Sequence, residues 1–329
     1  MSEKDNATKA FMEKNENFAD AFNFLMFNGK QVIKAENLKS IDTTLLSFPS
    51  KNNKKLDSKK KYRDVLKTLS VKQDDRASYI LLAIENQSKV HYAMPVRNML
   101  YDAMQYEMQV KEIEDEHKAK LKKDKNYKLT SAEFLSGFTK KDKLKPVITL
   151  VINFSDEPWD APVYLSEMIE PEGKPYAKFM ANYRINLIDP FRIRPRSFKK
   201  FSSHLKEILL YLKCSRNEKN MKKMLETEES FKHAPNEVVG LINILTGSTL
   251  KIDEKEEKTN MCKAWDQMIE RSKKEGQKEG QKEGFINAIK MLYKLNLPFK
   301  QIVASIKDSF GYSEKEIVKE IHTLYPDFS

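Results

Sequence analysis

The sequence predicts a mixed α/β core, in the α+β sense, followed by an all-helical region. Short runs of β-branched and apolar residues recur within the first 190 residues, and a long helical pattern interrupts them. Beyond Pro195 only helical patterns follow. With 40% hydrophobic and 33% charged residues, the chain can bury a substantial core and still present a charged surface.

Several strands are expected before Pro190. A helical pattern that starts near Phe18 breaks at Asn28-Gly29, and a strand is then expected that ends before Pro49. The predicted strands are SIDTTLLSF, YRDVLKTLSV, YILLAIENQ, KPVITLVINF and NYRINLIDP. The fourth of these runs is almost continuously apolar, which is typical of a strand covered on both faces.

A long helix is predicted between the strands YILLAIENQ and KPVITLVINF. From Met94 the apolar residues recur three and four positions apart, and Pro95 suits the first turn of a helix. The helix is expected to run through the charged stretch KEIEDEHKAKLKK.

Three regions follow from this order: a core domain over 1–195, a helical extension over 196–260 and a helical tail over 261–329. The tail contains the tetrad repeat KKEGQKEGQKEG, with glycines at 276, 280 and 284. Residues four apart share one face of a helix, but each glycine lowers helix propensity by about 1 kcal/mol. The repeat is therefore interpreted either as a solvated or frayed linker or as a self-association helix that is stable only when paired, which would make the protein a homo-oligomer.

The end of the tail reads as two helices joined by a turn at Gly311, in LPFKQIVASIKDSFGYSEKEIVKEIH. Such a pair either packs as a hairpin on a neighbouring helix or forms a DNA-reading helix-turn-helix.

The charge of the chain favours a polyanionic partner. The formal net charge is +11 and the isoelectric point is near 9.2. Lysines are densest between residues 51 and 61, where this run is either a solvated loop or an arm that contacts DNA phosphates. The candidate phosphate contacts are Lys54, Lys55, Lys59, Lys60 and Lys61.

Composition also points to a compartment. No stretch approaches the ~18 apolar residues of a membrane span, and the N-terminal residues lack the apolar centre of a signal peptide. The cysteines, Cys214 and Cys262, lie far apart and are expected to be reduced thiols. A cytoplasmic protein without a membrane partner is expected.

The spacing of histidines, cysteines and glycines argues against several kinds of functional site. The histidines and cysteines show no ligand spacing typical of structural zinc, and the chain has no phosphate-binding loop or dinucleotide fingerprint. Nothing in the sequence suggests a nucleophile elbow.

A pair of acidic residues is more informative. If the second and third strands form a hairpin that turns at Asp74-Asp75, positions summing to 149 face one another, so Asp64 lies opposite Glu85. Gln87 shares the face of Glu85 because side chains alternate along a strand. Opposed like charges are destabilising unless a cation lies between them, and Mg²⁺ prefers such oxygen ligands. The alternative is that both acids are ordinary surface residues at strand ends.

The spacing D-x₂₀-E-x-Q, on two strands followed by a helix, resembles the PD-(D/E)xK nuclease superfamily with glutamine in the lysine position. More narrowly, KYRDVLK, IENQSKVHYAMPVRNMLYDAMQY and KPVITLVINF resemble the recombination-promoting nuclease (Rpn, YhgA-like) family of bacteria, whose members also carry a transposase label. The resemblance covers roughly residues 18 to 190, and it implies an α-β-β-β-α-β core with a mixed sheet.

The resemblance implies roles for particular residues. Asp64 and Glu85 match the metal-binding acids, with the backbone carbonyl of Asn86 as a third ligand, and Gln87 matches the catalytic lysine position. Asp20 matches, more loosely, an acid on an N-terminal helix that completes the site. On the following helix, three side chains spaced four apart share a face that either points at the site or is an ordinary polar stripe: Arg97, Tyr101 and Gln105.

The expected activity is Mg²⁺-dependent hydrolysis of phosphodiester bonds in DNA, linked to recombination or mobile elements, with another divalent cation able to replace Mg²⁺. Gln87 can position water but cannot accept its proton. Two rival interpretations are a weakly active or inactive protein of the same fold that binds DNA and self-associates, and an enzyme directed at RNA.

Overall fold

The computed structural model describes residues 2–41, 44–45, 61–62, 64–73 and 76–328, and for 44–45, 61–62, 71–73 and 76–79 it describes the backbone alone. The run SIDTTLLSF is therefore seen only in part. The following predicted phosphate contacts lie outside the described residues: Lys54, Lys55, Lys59 and Lys60. For Lys61 only the backbone is described.

α-Helices are the most abundant regular element of the described chain. In chain order they are α1 (Glu3–Glu13), α2 (Asn15–Phe27), α3 (Met94–Lys123), α4 (Ser131–Ser136), α5 (Leu205–Cys214), α6 (Glu218–Thr227), α7 (Asn236–Thr246), α8 (Met261–Lys294), α9 (Phe299–Phe310) and α10 (Glu314–Leu324). None of the helices in the described part of the chain combines the length and apolar character needed to cross a membrane.

The strands are β1 (Leu38–Ser40), β2 (Thr44–Leu45), β3 (Lys61–Tyr62), β4 (Val65–Gln73), β5 (Arg76–Gln87), β6 (Val147–Asn153), β7 (Asn186–Ile188), β8 (Ala234–Pro235) and β9 (Lys258–Thr259). One sheet has the order β1-β4-β5-β6-β7. Its β1-β4 and β4-β5 pairs are antiparallel, whereas β5-β6 and β6-β7 are parallel. The predicted mixed α/β class is confirmed.

One expectation about strands is wrong. No strand was expected beyond Pro195, but β8 and β9 pair with each other there. Each is only two residues long, so neither leaves an alternating pattern in the sequence.

The pairing of β4 with β5 is the one that the sequence predicts. Val65 faces Ile84, and the ladder continues to Gln73 opposite Arg76, so paired positions sum to 149 throughout. The predicted turn residues, 74 and 75, lie outside the described residues.

Helices cover both faces of the sheet. On one face, the fully buried Lys67 of β4 extends its Nζ to the backbone oxygen of Glu13, at 2.5 Å, and also to the side chain of Asn15. A buried lysine must satisfy its charge locally, so these bonds fix the junction of α1 and α2 against β4. On the opposite face α3 packs along β6, where Met94 and Val151 share one apolar cluster.

The chain divides into two compact units, one ending at Asn260 and the other beginning at Met261. The predicted boundary after residue 195 falls inside the first unit. Helices α5 and α7 of the predicted extension belong to this unit, where α5 packs against α2 and α7 packs against α1.

A buried carboxylate ties the extension to α2. Asp20 is 1% exposed, and its two oxygens accept hydrogen bonds from the backbone N–H and hydroxyl groups of Ser202 and Ser203, at 2.7–3.0 Å. These serines immediately precede the start of α5, so the carboxylate orders the chain where that helix begins.

The second unit contains α8, α9 and α10. The glycine tetrad is not a break, since it lies within the continuous helix α8, and residues 272–283 are exposed. The interpretation as a frayed linker is therefore wrong, although its solvent exposure is confirmed. A Cβ added at Gly276 or Gly280 would meet nothing within 4 Å.

The predicted two-helix hairpin is present in α9 and α10. Gly311 has φ +70°, a left-handed conformation that suits glycine at the end of α9. The two helices pack with the last turns of α8 around an apolar cluster whose fully buried members include Ile289, Ile302 and Ile317.

Replacing Asp20 by alanine is expected to lower the free energy of unfolding by roughly 3 kcal/mol, because four hydrogen-bond donors lose a charged acceptor. Chemical denaturation followed by circular dichroism measures the loss. Asp20→Asn retains one acceptor oxygen and should lose clearly less. Equal stability of Asp20→Ala and the wild type would contradict this role.

Candidate active site

The site lies where β4 begins and β5 ends. Asp64 immediately precedes β4, while Glu85 and Gln87 are among the last residues of β5. Because the two strands are antiparallel, these positions meet at the same end of the hairpin. Helix α3 starts seven residues after Gln87 and returns over the face of the sheet that carries Glu85.

Asp64 is held against the backbone of β5. Its Oδ2 accepts a hydrogen bond from the backbone N–H of Asn86 at 2.7 Å. Burial raises the pKa of this carboxyl, and Asp5 nearby adds to the rise, whereas the Asn86 N–H and the Arg97 charge oppose it. The predicted juxtaposition of Asp64 with the Glu85 segment is therefore present.

Glu85 is completely buried and forms an ion pair with α3. Its Oε2 lies 3.2 Å from Nη2 of Arg97, whose Nε donates to the hydroxyl of Tyr101 at 3.2 Å. Burial lowers the pKa of the Arg97 guanidinium, but the Glu85 charge, the Tyr101 side chain and the Asp64 charge together raise it by more, so the pKa rises. Burial and the Glu85 charge both raise the pKa of Tyr101.

Gln87 lies beside the carbonyl that was predicted to be a ligand. Its Nε2 donates to the backbone oxygen of Asn86 at 3.1 Å. In the parallel pairing with β6, Gln87 is opposite Asn153, and its own backbone oxygen accepts from Phe154 N–H at 2.8 Å. The amide is thus buried at the end of β5 and directed at the Asn86 carbonyl.

Two predicted site residues have other surroundings. The Asp20 carboxylate is bonded to Ser202 and Ser203, so the structure assigns it to the start of α5 rather than to the acids of β4 and β5. Gln105, one turn beyond Tyr101, has its Nε2 4.0 Å from Met108 Sδ. Of the predicted stripe on α3, Arg97 and Tyr101 reach the site.

An acid that the sequence analysis did not select lies near the site. Asp5 on α1 accepts a hydrogen bond from the hydroxyl of Ser88 at 2.7 Å, just beyond the end of β5, and its charge acts on Asp64. The sequence does contain a pattern that draws attention to Asp5, because Ser2 and Asp5 form a capping box that marks the start of α1.

His91 is the second residue that sequence reasoning missed. It lies in the turn between β5 and α3, and its Nδ1 is buried without a hydrogen-bond partner. Burial lowers the pKa of the imidazole, and the Arg97 charge lowers it further. No sequence pattern distinguishes this histidine from any other.

The residues present fit a small divalent cation. Asp64 and Glu85 stand at the same end of the β4-β5 hairpin, the Asn86 carbonyl directly follows Glu85 in the sequence, and Arg97 is a basic group paired with Glu85. Oxygen donors of this kind suit Mg²⁺. Among the described residues no group of three or more histidine, cysteine or acidic side chains is arranged around one point, so the candidate ligand set is two carboxylates and a carbonyl.

Comparison of the chain with protein-family models, with curated proteins and with solved structures found no match.

The effects of substituting Glu85 and Arg97 on the free energy of unfolding are expected to be coupled. Arg97→Met should lower the free energy of unfolding by about 3 kcal/mol, because the buried Glu85 carboxylate loses this cation. The double variant Glu85→Gln/Arg97→Met should lose less than the two single changes combined, with a coupling of about 1–3 kcal/mol measured by urea denaturation. Additive losses would contradict the pairing.

The pKa of Asp64 predicts a pH-dependent stability. Since the folded-state pKa lies above the ordinary 3.8, the wild type loses stability as pH rises through that pKa. In EDTA, Asp64→Asn should match the wild type at about pH 4 and melt at a higher temperature at about pH 7, because the amide oxygen still accepts from Asn86. A variant that is less stable at both pH values would contradict the assignment.

Proposed function

We propose that this protein is a Mg²⁺-dependent endonuclease that hydrolyses phosphodiester bonds in DNA. The observation that carries the proposal is the meeting of Asp64 and Glu85 at one end of the β4-β5 hairpin, with the Asn86 carbonyl beside them. Burying two acids together is costly unless a cation offsets their charge. Hydrolysis of a phosphodiester is the chemistry that such a cation would serve.

The proposal includes the fold family. The order α1, α2, β1, β4, β5, α3, β6 contains the helix-strand-strand-strand-helix-strand order of a PD-(D/E)xK core. With the motifs around Asp64, Glu85 and Gln87, this order supports membership in the recombination-promoting nuclease family. A role in DNA recombination or in mobile elements follows from that membership.

The proposed ligands of the cation are Asp64, Glu85 and the backbone oxygen of Asn86. When bound, Mg²⁺ polarises a phosphoryl oxygen and lowers the pKa of a coordinated water. Asp64 must be ionised to bind it, so its raised pKa predicts that activity increases as pH rises above the usual range for an aspartate.

The remaining side chains orient the site. Arg97 fixes the Glu85 carboxylate through the 3.2 Å contact, and Tyr101 in turn holds the guanidinium. Gln87 has an amide that can hydrogen-bond water, but it carries no charge and cannot accept a proton. The proton of the attacking water would therefore have to be accepted by the substrate phosphate or by bulk hydroxide, and a second cation held at the site would make that water more acidic.

DNA is proposed as the substrate because the chain carries a net charge of +11. Lysine-phosphate contacts contribute affinity without sequence preference and weaken as salt concentration rises. The amide at position 87 also favours a second candidate, a protein of the same fold that binds DNA without cutting it efficiently.

A plasmid assay tests the catalytic proposal. Supercoiled plasmid incubated with the full chain and Mg²⁺ should be converted to nicked or linear forms, and EDTA should abolish the conversion. Asp64→Ala and Glu85→Gln should each reduce the rate by at least about 100-fold, since each removes a proposed cation ligand. Asp142→Asn is the matched control, because Asp142 is bonded to His117 and not to the site.

Wild-type protein that leaves plasmid intact but retards it in a gel supports the DNA-binding candidate and contradicts catalysis. Equal cleavage by the wild type and both site variants also contradicts it. A parallel reaction with RNA of matched length determines which nucleic acid is cut faster.

A further inference from the structure

Among the described residues, buried polar atoms that have no hydrogen-bond partner are concentrated around the candidate site. They include both side-chain polar atoms of Asn86 and Asn98, Nδ1 of His91 and Nε1 of Trp159. Trp159 packs in the apolar cluster that contains Met94, at the start of α3. Native proteins satisfy the great majority of such atoms, so each exception calls for a physical reason.

Asn98 is the clearest of these residues because its side chain is 0% exposed. On α3 it lies one turn after Met94, which packs with Val151, and one turn before Asp102, which accepts a hydrogen bond from Thr149 at 2.5 Å. Val151 and Thr149 are two residues apart on β6. Asn98 therefore lies on the face of α3 that is pressed against the sheet.

The neighbours of Asn98 place it beside the acid of β5. Glu85 pairs with Val151 in the parallel ladder, so the two side chains share the face that α3 covers. The preceding residue, Arg97, reaches Glu85 at 3.2 Å. Asn98 and the Glu85 carboxylate thus lie in the same interface between α3 and the sheet.

Another buried asparagine shows what a structural role requires. Asn23 on α2 is 0% exposed, and its Oδ1 accepts from the backbone N–H groups of Val32 and Ile33, at 3.1 and 2.8 Å. Its Nδ2 donates to Ile33 O at 2.8 Å. The Asn23 amide is satisfied by the chain itself, whereas the Asn98 amide is not.

We propose that Asn98 is a positioning residue that binds a water molecule between α3 and the Glu85 carboxylate. Water is the ligand class because a buried water needs two to four polar partners, and the Asn98 amide together with Glu85 provides them. The water orients Glu85 from the side opposite the Arg97 guanidinium. The role in turnover rests on the proposed nuclease function, whereas the bound water does not.

Paired variants test this inference. Asn98→Leu is expected to melt within a few degrees of the wild type, since leucine replaces the amide and displaces its water together. Asn23→Leu, the matched control, should melt several degrees lower because four hydrogen bonds are lost. A melting temperature of Asn98→Leu reduced as much as that of Asn23→Leu would overturn the proposal.

The kinetic readout separates positioning from packing. Asn98→Leu should reduce kcat for plasmid nicking by about 10–100-fold, as is usual for partners of metal ligands, with KM within about twofold of the wild type. Asn98→Ser, which can bind water through its hydroxyl, should recover part of kcat. An unchanged kcat in Asn98→Leu would overturn the positioning role.

A measurement without turnover keeps this inference distinct from the proposed function. In the metal-free full chain, the side-chain amide protons of Asn98 should show magnetisation exchange with a long-lived water by nuclear magnetic resonance, and those of Asn23 should not. Absence of that signal from Asn98 overturns the bound water. Its presence in a protein that never cuts DNA would leave the water in place and reject the nuclease.

Discussion

The antiparallel pairing of β4 with β5 is the constraint on which the rest of the site depends. Because each paired position sums to 149, residue 64 is brought level with residue 85 at the end of the ladder. A slip of one residue would turn one of these side chains to the opposite face of the sheet. Buried residues on both strands, including Leu66 and Leu82, oppose such a slip, because it would move the side chains of one strand to the opposite face of the sheet.

The helices on either face then determine the electrostatics of the site. On one face α3 supplies Arg97, whose partly exposed guanidinium is paired with a completely buried carboxylate. On the other, the Lys67 contacts hold the α1-α2 junction against β4. Helix α1 in turn brings Asp5 close enough to raise the pKa of Asp64. Removing Arg97 takes one cation away from the buried Glu85 carboxylate.

Much of this arrangement could be predicted from the sequence because it depends on local patterns. The apolar runs of β4, β5 and β6 predict the strands, and the polar turn at Asp74-Asp75 predicts the register. The proline and the three-to-four spacing after Met94 predict α3 and its polar stripe. These features are encoded within one hairpin and the helix that follows it, so no long-range information is needed.

The remaining features depend on contacts between distant parts of the chain. The family resemblance assigns Asp20 loosely to the site, but its partners, Ser202 and Ser203, lie more than 180 residues away and are not indicated by any pattern. Each of the three glycines in the repeat lowers helix propensity, yet α8 runs through the repeat as one continuous helix. Asp5 could have been found through its capping box, although nothing local indicates that α1 packs beside Asp64.

The central claim is that Asp64 and Glu85 together bind a divalent cation, and direct titration tests it. Isothermal titration calorimetry of Mg²⁺ or Mn²⁺ into the metal-free full chain should give saturable binding that is lost in Glu85→Gln and retained in Asp142→Asn. Heat evolved equally by the wild type and the Glu85→Gln variant, or no binding by the wild type, would contradict the account.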